Sequence, residues 1–471
     1  MSPKIAACIF VLGVLGLFFL DRDRKTRTSK ALWLPVVWIF IAGSRPVSFW
    51  LQMAPQESYS PYVDGSPLDR AAWTAMVAVG LAVLVSRGRQ VGSFLRANWA
   101  ILWFFFYCVI SILWSDFPEV AFKRWIKALG DLVMVLIVLT DLDPIAAIKR
   151  LLARIAFLLV PLSILLIKYF PELGRTFAAW SWTPVYVGAT TNKNALGMVA
   201  LMLGLGSLWR FLQALRAEES DERTGPLIAH GIVLAMVAWT FVTAGSMTSL
   251  ACFIMTASLM VATSLSAFAR KPGVVHFLVI TVLCVSFSAL FLNMGASLLT
   301  DMGRDPTLTG RTEIWNQVLA LATNPLLGTG FESFWLGDRL QRIWSIWWWH
   351  PNEAHNGYIE VYLNLGWIGV GLLSMVIVTG YRDVVTALRR DPQVGSLRLA
   401  YLVTAVVYNF TEAAFKEINL VWIFFLLAVA AVPKVLAPPI DPPLGIEDPD
   451  GFFEPDLAAN HVVVAGLTED A

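Results

Sequence analysis

Apolar positions in this chain come in long unbroken runs, neither alternating with polar ones nor confined to one helical face. LVMVLIVL (132–139) and LLVPLSILLI (158–167) are apolar almost throughout, and comparable runs recur near 4–20, 31–51, 71–86, 99–114, 124–140, 151–169, 194–215, 227–244, 249–268, 274–294, 356–379, 398–411 and 418–433. A helix needs about 20 such residues to cross a hydrocarbon core. Barrel strands would alternate with period two, so helices are left as the way to satisfy the backbone in lipid. The pattern predicts an all-α, polytopic transmembrane helical bundle of about 12–13 spans, with one large loop between 294 and 356.

Composition excludes a water-soluble fold: 57% of residues are hydrophobic, 15% are charged, and there are 20 Trp and 29 Phe. The 35 Lys and Arg then set the orientation. Alternating the spans gathers DRDRKTRTSK, SRGRQVGSFLR, the 141–154 turn, the 210–226 loop, ARKP and YRDVVTALRRDPQVGSLR on one side. That richer side should be cytoplasmic. The expected organisation is an N-terminal transmembrane bundle (1–294), a periplasmic loop with an amphipathic helix (295–355), C-terminal transmembrane helices (356–433) and a disordered cytoplasmic tail (434–471). The tail is acidic and rich in proline. The first span should stay as an anchor, because its positive cluster follows the apolar core and no A-x-A site appears. All four cysteines fall inside spans without metal spacing, which implies neither disulfide nor zinc.

Candidate chemistry is concentrated around the large loop. Ile314, Trp315, Val318, Leu319 and Ala322 share a helical face, predicting a short amphipathic helix on or near the membrane surface. Gly310 marks its start, which places Arg311 in the first turn, where free N–H groups and a guanidinium together favour an anion. The alternative is a solvated surface arginine. The tryptophans of 344–349 read as an interfacial belt. His355 opens the next helix, with Tyr358 on its face, while Asn356, Glu360 and Asn364 form a second polar stripe that must face protein or a wet cavity. A histidine at the rim of such a cavity is suited to general-base work; the plainer reading, retained for His350, is an interfacial side chain bonded to a loop.

The order GRTEIW, NPLLGTGFESF, AHNGYIEVYLNLGWIGVGLL over about residues 308–372 resembles the signature region of the O-antigen ligase and polysaccharide polymerase superfamily. SDFPEVAFKRWIKALGDL and GATTNKNALG are similar to segments of its exopolysaccharide polymerases. The resemblance implies a bacterial inner-membrane glycosyltransferase acting on a polyprenyl-pyrophosphate-linked glycan at the periplasmic face, by attack of an acceptor hydroxyl on the anomeric carbon. It implies His355 as base and Arg311, with Gly310, Asn356 and Tyr358 around it, as substrate-binding. Lys193 matches a further basic position, although ligase members are expected to carry arginine there. Arg45, inside a span, is a third cation, with snorkelling as its alternative. Partners expected are the lipid-linked glycan, a glycan acceptor, membrane lipid and, as an accessory, a chain-length regulator. No cofactor, metal or nucleic acid is expected. Polymerase is preferred over O-antigen ligase; a lipid-linked sugar carrier or flippase is the alternative of another class, disfavoured because no internal repeat is found and the polar decoration lies on one face.

Four other motifs stay outside this reading. DRD (21–23) and DLD (141–143) resemble metal-binding pairs but lie on the expected cytoplasmic side, with Asp143 as a helix cap. Lys127 and Asp131 can neutralise each other. Glu412, Lys416 and Glu417 form an outer turn with two readings, a lining of the same cavity or, more simply, solvated loop charges.

Overall fold

Among the described residues, each apolar run identified above carries a helix in the computed structural model, which describes residues 1–23, 26–53, 66–177, 182–218, 220–291 and 311–431. The acidic tail and Gly310 lie outside the described residues. The protein is a multi-pass membrane bundle. Among the described residues, six helices are long and apolar enough to cross a membrane alone: Pro3–Leu20, Pro67–Ser86, Pro144–Tyr169, Lys193–Arg216, Arg223–Ala244 and Gly357–Arg390. Gly88–Ala97 and Trp99–Trp114 form a further pair bent by 89°, and Lys30–Ala42, Met247–Thr263, Pro272–Ser288 and Leu420–Val429 are apolar but shorter.

Among the described residues, full-length spans are therefore fewer than the apolar runs suggested, for local reasons. The 31–51 run is interrupted after Ala42, where a turn leads to Pro46 before the short helix Val47–Trp50. The 124–140 run belongs to Pro118–Leu139, whose first turns carry Glu119, Lys123, Arg124 and Lys127. Asp131, on the same helix, does not pair with Lys127 as expected. It is fully buried and accepts from Trp38 Nε1 and from the Ile418 N–H, both at 2.8 Å, so it ties three elements together.

Helix starts follow the sequence closely. Asp143, Asn192, Asn356 and Asn419 each accept a hydrogen bond from the first turn they precede, and proline begins the helices at 3, 67, 118, 144 and 392, where its missing N–H costs nothing. Leu420–Val429, apolar all round, is buried at every residue, packed by Pro118–Leu139, Gly357–Arg390 and Pro392–Tyr408. Pro3–Leu20 lies at the periphery and buries only Ala6, Val14 and Leu17.

Polar contacts collect at two ends. One gathers the basic loops: Arg210 pairs with Asp21 at 2.8 Å, Arg87 with Asp141 at 3.4 Å, and Arg150 bonds Thr28. Asp143 caps its helix through Ala146. The two D-x-D motifs are thus spent on structure at the basic end. The other end holds residues 311–356, the 409–419 turn and a two-stranded hairpin, Arg175–Phe177 with Pro184–Tyr186.

Gly357–Arg390 is broken at Gly366, whose φ of 63° interrupts the helix. The groups freed at the break are met by the glycine turn: Thr329 and Gly330 donate to the Leu363 and Asn364 carbonyls, and Trp367 and Ile368 donate to those of Pro325 and Leu326. Gly328 and Gly330 need their positive φ and lack of Cβ there, since a Cβ on Gly328 would lie 2.4 Å from the Asn364 backbone. The Asn364 side chain accepts from Ser333 and Phe334, which seats the rest of NPLLGTGFESF against the same helix.

Arg311–Ala320 turns much of its apolar face into protein: Ile314 and Val318 are buried in a small core with Phe334, Trp335, Leu340, Ile343, Ala354 and Leu363, Trp315 donates to the Ala354 carbonyl, and Leu319 stays exposed. The tryptophan run is likewise divided. Trp344 and Trp347 turn inward, bonding Pro351 and Gln317, while Trp348 and Trp349 remain exposed.

Candidate functional site

Two short segments far apart in sequence, residues 353–358 and 409–417, are bound to each other by their backbones. Gly357 donates to the Asn409 carbonyl at 2.9 Å, Asn356 donates to Phe410, and Asn409 Oδ1 accepts from Ala414 and Phe415. Asn356 also caps its helix through the N–H groups of Tyr358 and Ile359, and Tyr358 gives its hydroxyl to the Val406 carbonyl. Both side chains spend their polar atoms on the scaffold. Glu360 adds the remaining tie, accepting from Trp335 Nε1 at 2.9 Å through both oxygens and from the Ala354 N–H.

These ties hold His355 in a left-handed conformation, φ 50°, and Ile418 at φ 55° and Glu332 at φ 50° border the same region. A β-branched residue in that conformation is an outlier, and such positions persist only where surrounding contacts over-determine them. For Ile418 the determinant is its N–H bond to buried Asp131.

Around His355 the charges alternate. Lys416 Nζ is 2.5 Å from Glu353 Oε2; Glu353 Oε1 is 3.1 Å from His355 Nδ1; His355 Nδ1 is 3.6 Å from Glu412 Oε2; Glu412 Oε1 is 3.5 Å from Arg311 Nη2. Arg311 Nη1 also donates to the Thr411 carbonyl at 2.7 Å. The contacts at Nδ1 are close charge pairs rather than aligned hydrogen bonds, since that nitrogen meets no hydrogen-bond geometry. Burial would lower the His355 pKa, but the Glu353 and Glu412 carboxylates outweigh it and the ring is pushed up to about 9. Burial raises Glu353 less than Lys416 and His355 lower it, and its carboxyl is held far below the usual range. Lys416 is pushed up by Glu353 in spite of its own burial. The chain is open to water on one side: the side chains of His355 and Lys416 are 23% and 37% exposed, against 10% for Glu412.

Behind the chain lies a cavity of about 20 Å³ lined by Glu332, Glu360, Lys416, Glu417, Phe331 and Trp422. It has room for about one water and none for a sugar ring. Burial, with the charge of Glu417, pushes the Glu332 carboxyl up to about 8 although Arg124 opposes it.

Glu353, His355 and Glu412 present ligand atoms within 4.8 Å of one another, a span that a divalent cation could bridge. Lys416 and Arg311 already neutralise the two carboxylates, so a metal would have to displace both and bind a histidine that prefers its proton. The residues fit a chain of charge pairs better than a metal site.

Of the residues singled out in the sequence, His355 and Arg311 are brought together through Glu412. Arg45 and Lys193 lie elsewhere at the same end, each beside the 188–193 turn. Arg45 is buried, lies over Phe49 at 4.6 Å, and donates to the Thr190, Gly188 and Leu173 carbonyls, with Nη1 left unpartnered. Lys193 is exposed in the first turn of Lys193–Arg216. Gly310 lies outside the described residues. Sequence reasoning missed Glu353 altogether and read Glu412 and Lys416 as solvated; the available signal was the acid two residues before His355 and the E-x-x-x-K-E charges between two apolar runs.

Comparison with known proteins places this end of the molecule. Residues 231–374, which include Arg311, Glu353 and His355, match the family model of the O-antigen ligases. The exopolysaccharide production protein ExoQ of Rhizobium meliloti (strain 1021) is 27% identical over 323 residues, covering 66% of this chain and 71% of that protein. The glycine turn, the capped H-N-G helix, Arg311 and His355 all fall inside the matched segment, whereas Glu412, which links the last two, lies beyond it. Over residues 231–374, then, the chain is similar to the O-antigen ligases, and over 66% of its length to an exopolysaccharide production protein.

Proposed function

We propose that the chain is an inner-membrane glycosyltransferase that extends or transfers a polyprenyl-pyrophosphate-linked oligosaccharide at the periplasmic face, with polymerisation of exopolysaccharide the preferred form. One observation carries this reading: a guanidinium at a helix start and an imidazole on a strained turn converge on the same carboxylate, Glu412. The likeness to an exopolysaccharide production protein favours polymerase over ligase.

In the reaction, an acceptor hydroxyl oxygen forms a bond to the anomeric carbon of the donor while the bond from that carbon to the pyrophosphate oxygen breaks. The hydroxyl proton passes to His355 and the electron pair leaves with the polyprenyl pyrophosphate. Arg311 faces the growing negative charge, where a forked donor is well suited to phosphate oxygens. A base with a pKa near 9 is neutral in only about 1% of molecules at pH 7 but is correspondingly strong, so the rate should climb with pH towards 9. An imidazolium acting as acid or as a fixed charge would give the opposite slope.

The test uses purified full-length protein in lipid nanodiscs, with lipid-linked oligosaccharide extracted from source cells lacking this protein. With excess chelator present, the wild type should lengthen or transfer the glycan. His355→Ala should lose about 10²- to 10⁴-fold in rate with donor binding largely retained, whereas Arg311→Ala should damage both. Wild-type turnover by His355→Ala, or movement of the lipid-linked sugar across vesicles without joining it to anything, would replace this reading with the carrier.

A further inference from the structure

Glu412 is the second acid of the alternating chain and the only member of it whose two oxygens address two residues with different tasks. Oε1 lies 3.5 Å from Arg311 Nη2 and Oε2 lies 3.6 Å from His355 Nδ1. The carbonyl just before it, that of Thr411, takes the other arm of the Arg311 fork at 2.7 Å, so two consecutive residues hold the guanidinium. Glu412 is itself fixed. Its N–H donates to the Tyr408 carbonyl at 3.1 Å, its side chain is 10% exposed, and the turn that carries it is bound to the His355 segment through Asn409, Phe410 and Gly357.

We infer that Glu412 is a positioning residue for the proposed transfer: one buried carboxylate sets the distance between the cation that receives the leaving pyrophosphate and the imidazole that receives the acceptor proton. The inference rests on the function proposed above and adds a residue beyond the family-matched segment, which ends at 374. Charge neutralisation alone would need one contact. Two contacts, one from each oxygen, fix two groups that come from different elements of the chain. With Nδ1 facing the two carboxylates, the acceptor proton is left to Nε2.

The charged groups facing His355 are Glu353, which carries Lys416, and Glu412, which carries Arg311. Both acids favour the imidazolium. They differ in that only Glu412 reaches Arg311, and this difference makes the inference testable. In the nanodisc assay, Glu412→Gln should raise KM for the extracted lipid-linked donor by roughly tenfold and lower kcat as well, because Arg311 loses its anchor. It should also move the rising limb of the pH profile to lower pH, because one of the two acids holding the His355 proton is gone. Glu353→Gln should move the same limb with donor KM close to wild type. Glu412→Asp keeps the charge but falls one methylene short, so it should hold the limb near its wild-type position while still raising KM; it serves in place of the Gln variant if that protein does not accumulate. A Glu412→Gln enzyme with wild-type KM and an unmoved limb would overturn the inference, as would an Asp variant indistinguishable from wild type. Neither result touches the parent reading, which in this assay fails if His355→Ala turns over normally or the wild type transfers nothing.

Discussion

His355 joins backbone strain to electrostatics. Its left-handed φ is held by contacts on both flanks, Glu360 on the Ala354 N–H and Asn356 on the helix that follows, while its ring sits between two acids. The histidine and arginine were legible because their types and order sit in a recognisable run. Glu353, Glu412 and Lys416 were not, because a charged residue between apolar runs reads the same whether water or an ion pair surrounds it. The pairs carry a pH signature. A histidine whose folded pKa is raised contributes stability that is complete below about 6.5 and is lost as pH rises through about 9. Glu353, whose folded pKa is depressed, contributes stability present above about 4.5 and lost as pH falls towards its folded value. The thermal midpoint of the purified protein should therefore plateau between about pH 5 and 6.5 and decline by roughly 1–3 °C on the way to pH 9.5. His355→Gln should flatten the alkaline decline, and an unchanged decline in that variant would place its origin elsewhere.

At the scale of elements, the apolar runs predicted where helices form but not where they break. Gly366 lies in a run that reads as continuous, and its break becomes intelligible only once the 325–330 turn is seen to satisfy the freed backbone groups. The amphipathic pattern of 314–322 was legible, but its partner was not: an apolar stripe is the same on a bilayer as on a protein core, and here the core of Phe334 and Trp335 covers it. Gly357 shows how tightly the site elements are joined. A Cβ there would lie 1.9 Å from Asn409 Oδ1, the atom that accepts the Ala414 and Phe415 N–H groups. Gly357→Ala should therefore cost about 1–3 kcal/mol in stability, as overpacking of a filled site does, and should lower transfer by displacing the 409–417 turn. Gly371→Ala, in the same helix with nothing within 4 Å of the added atom, should be neutral in both measurements. Equal effects from the two would mean that helix propensity, not the Asn409 contact, decides.

At the scale of the molecule, the separation of polar contacts into two ends gives the charge count a structural counterpart. Asp21 with Arg210, Asp141 with Arg87 and Arg150 with Thr28 lie among the basic loops, while Arg311, His355, Glu412 and Lys416 gather with the 311–356 segment. Thirteen crossings and six full-length helices with shorter companions can both place these groups on opposite ends, because a short or bent helix still carries the chain from one end to the other. The excess of Lys and Arg predicts that the basic end faces the cytoplasm. A reporter active only outside the cytoplasm should accordingly be active when fused after Trp335, within the site end, and silent when fused after Arg390, at the last turn of Gly357–Arg390 and beside the basic loop. The two fusions flank one crossing helix, so their results are tied: one active and one silent is required of any single crossing, and only the order is informative. The reverse order would put His355 and Arg311 in the cytoplasm, where a donor delivered to the periplasmic leaflet could not reach them, and the proposed reaction would have to be abandoned even with every contact described above intact.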